Sequence, residues 1–177
     1  MSDNNPVFEI LAAAMQANGV VSRQDAREAI LLHEEDLPWV ALPDGSLLQL
    51  LQVDLNQNLW IVRNRLKPGF CIDTHYHTGP VFAVTQSGEW FYKEYPDKVN
   101  KAGSYLYEPA HSIHTLTVAA DAKEDAVVWF AIFGSNVNID DKGNVTSVLD
   151  AATLLKVYRL LCAAEGKTCD KVIVLGE

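Results

Sequence analysis

Two kinds of hydrophobic periodicity divide this chain. Near the N-terminus Val7, Phe8, Leu11 and Met15 recur at helical spacing, and Ser22-Arg-Gln-Asp25 offers a serine cap with an acid three residues on. That pattern predicts a helical arm over residues 1–36. From Leu37 the spacing changes. Pro38, Pro43, Asp44-Gly45, Pro68-Gly69 and Ser87-Gly88 cut the chain into short runs rich in Leu, Val, Ile, Trp and Tyr, as strands between turns should be. Ser46–Leu51, Leu59–Leu66, Phe70–His77, Val81–Gln86, Glu89–Tyr95, Gly103–Tyr107, His114–Val118 and Ala126–Phe133 are the expected strands. Their density predicts an all-β sandwich or small barrel over residues 37–138. After the turn Asp140-Asp-Lys-Gly143, Asp150 caps a helix over residues 149–166, with Leu154, Tyr158, Leu161 and Cys162 on one apolar stripe. No repeat or linker interrupts the pattern, so residues 1–177 are expected to form one domain with helical ends.

Composition narrows the partners. With 177 residues, 49% of them hydrophobic and 21% charged, the chain can bury a substantial core. A formal net charge of −9 argues against nucleic acid or an anionic membrane, both of which select basic patches. Neither a signal-like N-terminus nor an apolar stretch of membrane-spanning length is present, and the expected location is the cytoplasm. Cys71, Cys162 and Cys169 follow no scaffold or CxxC pattern and are expected as reduced thiols.

The chemistry concentrates in the histidines. Of the five, His33 sits at the end of the helical arm, while His75, His77, His111 and His114 fall in the two short segments Gly69–His77 and Gly103–His114. Strand alternation turns His75 and His77 to one face. A third imidazole from a neighbouring strand would complete a facial set of nitrogen ligands for a divalent metal.

These two segments resemble the cupin motifs. Gly69, His75, His77 and Gly88 occupy places of the first motif, and Gly103, Pro109 and His114 occupy places of the second. The resemblance implies a jelly-roll β-barrel with His75, His77 and His114 as metal ligands. Three places depart from it: Val81 or Phe82 stands where the first motif has glutamate, His111 where the second has glycine, and Val118 where it ends in asparagine. If Ser87-Gly88 closes a two-residue hairpin, Glu94 lies directly opposite Val81 and shares its face, which makes Glu94 the replacement ligand or proton acceptor. Glu108, beside the Pro109 turn, is the rival: an acid able to hydrogen-bond a metal-bound water or a histidine. Trp90 and Tyr92 share Glu94's face and would form an aromatic wall for a flat substrate. His111 is expected at the mouth of the pocket.

A narrower similarity runs from Leu37 to Gly134. Leu-Pro-Trp-Val at 37–40, His-Tyr-His-Thr-Gly-Pro-Val, Ser-Gly-Glu-Trp-Phe-Tyr-Lys-Glu-Tyr and Gly-Ser-Tyr-Leu-Tyr-Glu-Pro-Ala resemble the 2,4'-dihydroxyacetophenone dioxygenase group of cupins. This resemblance implies a non-haem Fe(II) enzyme that uses dioxygen to cleave a carbon–carbon bond of an aromatic hydroxyketone, giving 4-hydroxybenzoate and formate. Zinc, manganese or nickel would suit the same ligands. The alternatives are a diketone-cleaving dioxygenase of the acetylacetone type and a non-catalytic zinc-binding cupin module. Cupins commonly pair, so a dimer or tetramer is expected.

Overall fold

The structure, a computed structural model, describes residues 28–176. The chain divides into two compact units, residues 1–31 and 32–177, and the fold described is that of the second. Most of the expected helical arm lies outside the described residues. Within residues 32–36 there is only a 3-10 turn, Glu34–Asp36, closed by the His33 amide donating to Asp36 Oδ2 at 2.7 Å.

Alternation of buried and open positions builds the main sheet. Its strands are β1 (Val40–Ala41), β2 (Leu47–Asp54), β3 (Leu59–Leu66), β5 (Val81–Ser87), β8 (Tyr105–Glu108), β10 (Ala126–Phe133) and β13 (Ile173–Leu175), with β4 (His75–His77), β6 (Glu89–Tyr92), β7 (Asn100–Lys101) and β9 (Leu116–Thr117) between them in sequence. The order is β1-β2-β3-β10-β5-β8, and β13 adds in parallel to β2. Strands β11 (Asn136–Ile139) and β12 (Val145–Leu149) carry β4 on a second sheet, β12-β11-β4; a third is β7-β6-β9. The core lies between these layers, with Leu50, Val62, Val81, Trp90, Val118 and Val128 fully buried. This is the all-β jelly roll that the cupin motifs imply, although its sheets stay open and do not close into a continuous barrel.

Helix α1 (Ala151–Ala164) begins where expected: the Asp150 carboxylate accepts from the Thr153 amide at 2.8 Å, satisfying a first-turn N–H that has no partner within the helix. Its buried stripe, Ala151, Leu154, Leu155, Tyr158 and Cys162, covers one flank of the core. Tyr158 donates to the carbonyl of Pro38 at 2.6 Å. Among the described residues no helix is long and apolar enough to cross a membrane.

Two sequence expectations are corrected. The run Phe70–His77 is strand only over its last three residues; Cys71 makes an isolated bridge to Thr117. More consequentially, β5 and β6 do not pair across Ser87-Gly88. Gly88 turns with φ +67, and a Cβ there would stand 2.4 Å from the Asp125 carbonyl oxygen, so only glycine passes. The chain then leaves for another sheet, where β6 pairs with β7 and β9. The strand opposite β5 is β8, and Val81 faces Glu108.

Candidate metal centre

The histidines are brought together by short backbone contacts. His75 and His77 alternate onto one face of β4. His114 is joined to His75 by a two-way bridge, each amide donating to the other's carbonyl at 3.0 Å. One potential ligand atom from each of His75, His77 and His114 lies within 4.8 Å of the others. All three residues are buried. The rings of His75 stand edge-on to His77 and His114, with centroids 5.1 and 4.7 Å apart.

Glu108 enters from β8. It is only 4% exposed, and its Oε2 lies 3.3 Å from His114 Nε2 and 3.6 Å from His77 Nε2. Tyr92 donates its hydroxyl to Glu108 Oε1 and stacks on the His114 ring at 4.2 Å. One carboxylate oxygen is thereby fixed and the other turned to the imidazoles.

Charge follows burial. Desolvation, with the neighbouring His75 and His114 charges, pushes His77 down to about 3, and desolvation with His75 pushes His114 down to about 3. His75 is lowered by burial as well, against the hydrogen bond from its Nδ1 to the Asp73 carbonyl at 2.8 Å. Burial raises Glu108 to about 7, partly offset by the Tyr92 hydrogen bond. Of the five buried side-chain polar atoms without a hydrogen-bond partner among the described residues, three are at this site, His77 Nδ1, His114 Nε2 and Glu108 Oε2, and the others are Arg63 Nε and Arg65 Nε. Orphaned buried polar atoms are rare unless a ligand completes them. Neutral imidazoles with a carboxyl beside them form a donor set that fits a divalent cation.

The site borders a cavity of about 710 Å³ whose wall is mostly apolar, with Leu48, Leu66, Phe70, Leu116, Phe130 and Ile132 among its residues. His75, His77, Tyr92 and Glu108 line it.

Other expected site residues lie elsewhere. Glu94 is exposed, its Oε2 accepting from the Thr115 amide at 2.9 Å and its Oε1 from the Thr115 hydroxyl at 3.0 Å. What burial it has raises its carboxyl, but these bonds hold it below the usual range. Trp90 is fully buried behind the cavity wall, donating to Thr85 Oγ1 at 2.9 Å, and does not line the cavity. His111 is exposed beside Tyr76, ring centroids 5.8 Å apart, and lies off the cavity lining. Its φ of +66 places it in the left-handed region, which explains why a glycine is expected there. Sequence reasoning missed Asn136 and Asn138, which line the cavity on β11. Asn-Val-Asn repeats the spacing of His-Tyr-His, but it is the pairing of β11 with β4 that brings the two together.

Known proteins agree with this architecture. A protein of unknown function with a cupin-like fold from Ralstonia eutropha JMP134 is 27% identical, with a TM-score of 0.79 over 89% of this chain and 97% of its own. An RmlC-like cupin from the same organism is 28% identical, with a TM-score of 0.76 over 82% of this chain and 94% of its own. An acetylacetone dioxygenase from Acinetobacter johnsonii shares the fold at 18% identity, with a TM-score of 0.67 over 81% of this chain and 99% of its own. A search of curated proteins gives no match. The model of the ChrR cupin-like domain matches residues 27–135, a span that takes in both histidine segments and the main sheet up to β10, and the chain belongs to that cupin family.

Proposed function

We propose that the protein is a non-haem iron dioxygenase that cleaves a carbon–carbon bond of an aromatic hydroxyketone such as 2,4'-dihydroxyacetophenone. One observation carries this reading: the buried imidazoles of His75, His77 and His114 gather around Glu108, whose Oε2 has no hydrogen-bond partner, and His75, His77 and Glu108 line a large, mostly apolar cavity. A purely structural metal site is closed by its ligands and needs no chamber beside it, whereas a substrate does.

His75, His77 and His114 would hold the ion. Ferrous iron bound there would supply redox chemistry toward dioxygen and an anchor for the ketone's carbonyl and hydroxyl oxygens. The chain's own residues do the rest. Glu108 Oε2 accepts the proton lost from the substrate hydroxyl; a carboxyl raised to about 7 is matched to proton exchange near neutrality. The Tyr92 hydroxyl keeps that oxygen aimed. Phe70, Phe130 and Leu116 exclude water and take the ring. The products, 4-hydroxybenzoate and formate, account for every atom of the ketone and dioxygen.

A second reading, a non-catalytic zinc-binding module, is favoured by the family's description as a ChrR cupin-like domain. Metal analysis beside oxygen uptake separates the two. Near-stoichiometric iron, lost in His75→Ala and His114→Ala, with one dioxygen consumed per 2,4'-dihydroxyacetophenone, is the expected result. Stoichiometric zinc with no uptake by the iron-reconstituted protein would replace the dioxygenase with the module.

A further inference from the structure

Strand β11 pairs antiparallel with β4, Asn136 opposite His77 and Asn138 opposite His75. Directly opposed residues project from the same face, so the two carboxamides stand beside the imidazoles, and both line the cavity. Asn136 is 8% exposed. Its Nδ2 donates to Asn138 Oδ1 at 2.8 Å, and Asn138 Nδ2 donates to Ser147 Oγ at 2.8 Å on the neighbouring strand β12. Ser147 is exposed, so its own hydroxyl hydrogen can turn to water while its oxygen accepts. With the amides placed this way one Asn136 N–H is engaged by the relay, and Oδ1, which accepts from no protein donor among the described residues, is left for the cavity that Asn136 lines.

The rest of the wall says what kind of molecule suits this cavity. No lysine or arginine is among the described residues lining the cavity, while Asp44, Asp73 and Glu108 are. An anionic ligand would find no counter-charge on the protein wall, and burying an unpaired charge is costly. An uncharged molecule with an apolar body and a hydroxyl donor fits the same surroundings.

We propose that Asn136, held by Asn138 and Ser147, is the specificity residue of this cavity: its Oδ1 accepts from a hydroxyl that the ligand carries apart from the group reaching the histidines. The inference rests on reading the cavity as a ketone site, and the test separates the two.

The zinc-loaded protein, which supports no redox step, is titrated calorimetrically with acetophenone, 4-hydroxyacetophenone and 4-acetylbenzoate. The expected order is 4-hydroxyacetophenone about two- to twelvefold tighter than acetophenone, the range one neutral hydrogen bond supplies, with 4-acetylbenzoate weakest. Asn136→Ala keeps its zinc and its affinity for acetophenone and loses the preference. Ser147→Ala changes an exposed side chain and is expected to fold normally; it retains part of the preference because the relay is only loosened. A preference that survives Asn136→Ala overturns the assignment, as does wild-type protein that binds both neutral ketones equally. Wild-type protein that binds neither overturns the ketone site itself, and the assignment with it.

Discussion

Gln49 on β2 and Glu108 on β8 are both buried polar residues of the main sheet, 0% and 4% exposed, yet their surroundings are opposite. Gln49 is saturated: its Nε2 donates to the carbonyls of Glu34 at 2.7 Å and Leu37 at 2.6 Å, and its Oε1 accepts from Arg63 at 2.8 Å. Glu108 has one oxygen engaged by Tyr92, and the other faces two imidazoles with no hydrogen bond. The first region ties the start of the chain's β fold to the sheet. The second gathers three imidazoles around an acid whose free oxygen has no partner, and that clustering, which the unpartnered Arg63 Nε of the first region lacks, marks where a ligand belongs.

Substitutions should separate these regions cleanly. The largest effect is expected from His77→Ala, which removes one of the three imidazoles proposed to hold the ion; metal affinity should fall by more than ~100-fold, since even groups that merely support a ligand are worth ~10–100-fold. Metal content after dialysis measures it, and retention of stoichiometric metal would break the comparison. Glu108→Gln follows: on the proposed role of Glu108 as proton acceptor, turnover of the proposed substrate should slow ~10²–10⁴-fold. The same variant tests the charge assignment. In the metal-free protein at pH 6 a carboxyl raised to about 7 is mostly protonated, while His77 and His114, lowered to about 3, are already neutral. Binding a dication should therefore release close to one proton at pH 6, mostly from Glu108, and little at pH 8. Calorimetry in buffers of different ionisation enthalpy reads that proton, and Glu108→Gln should abolish it.

Gln49→Ala should do the converse, leaving two carbonyls and a guanidinium N–H without partners. A loss of about 2–4 kcal/mol in denaturant unfolding is expected, with metal stoichiometry unchanged. The smallest effect belongs to Tyr92→Phe. The tyrosine's hydrogen bond lowers the Glu108 carboxyl, so its removal raises that group further and should move the acidic limb of the pH–activity profile to higher pH. A shift to lower pH would show that Tyr92 does not act through Glu108.

The three histidines were legible because strand alternation is a strict rule and motif spacing confirmed it. The helix cap at Asp150 was legible because its chemistry is local. The neighbour of the histidines was harder to read. Placing Glu94 opposite Val81 assumed that consecutive strands pair, but at Gly88 the chain is pressed against Asp125 and changes sheets, which puts Glu108 there instead. Nothing in the spacing of Glu89–Tyr92 betrays which sheet it joins. Trp90 and Tyr92 do share a face, yet Tyr92 reaches the cavity and Trp90 is sealed behind it; alternation gives the side and not the depth. The carboxamides on β11 went unread because only pairing with β4 makes them neighbours of the histidines.

The two-way bridge between His75 and His114 also bears on time. Because each amide donates to the other's carbonyl, separating the backbones of these two residues means breaking an isolated two-bond bridge between β4 and the segment before β9, a local opening and more than a side-chain rotation. The residence time of a bound ion is expected to follow the opening rate of that bridge. Amide hydrogens of His75 and His114 and the ion itself would leave through one shared event, and hydrogen exchange at these two positions becomes a clock for metal release.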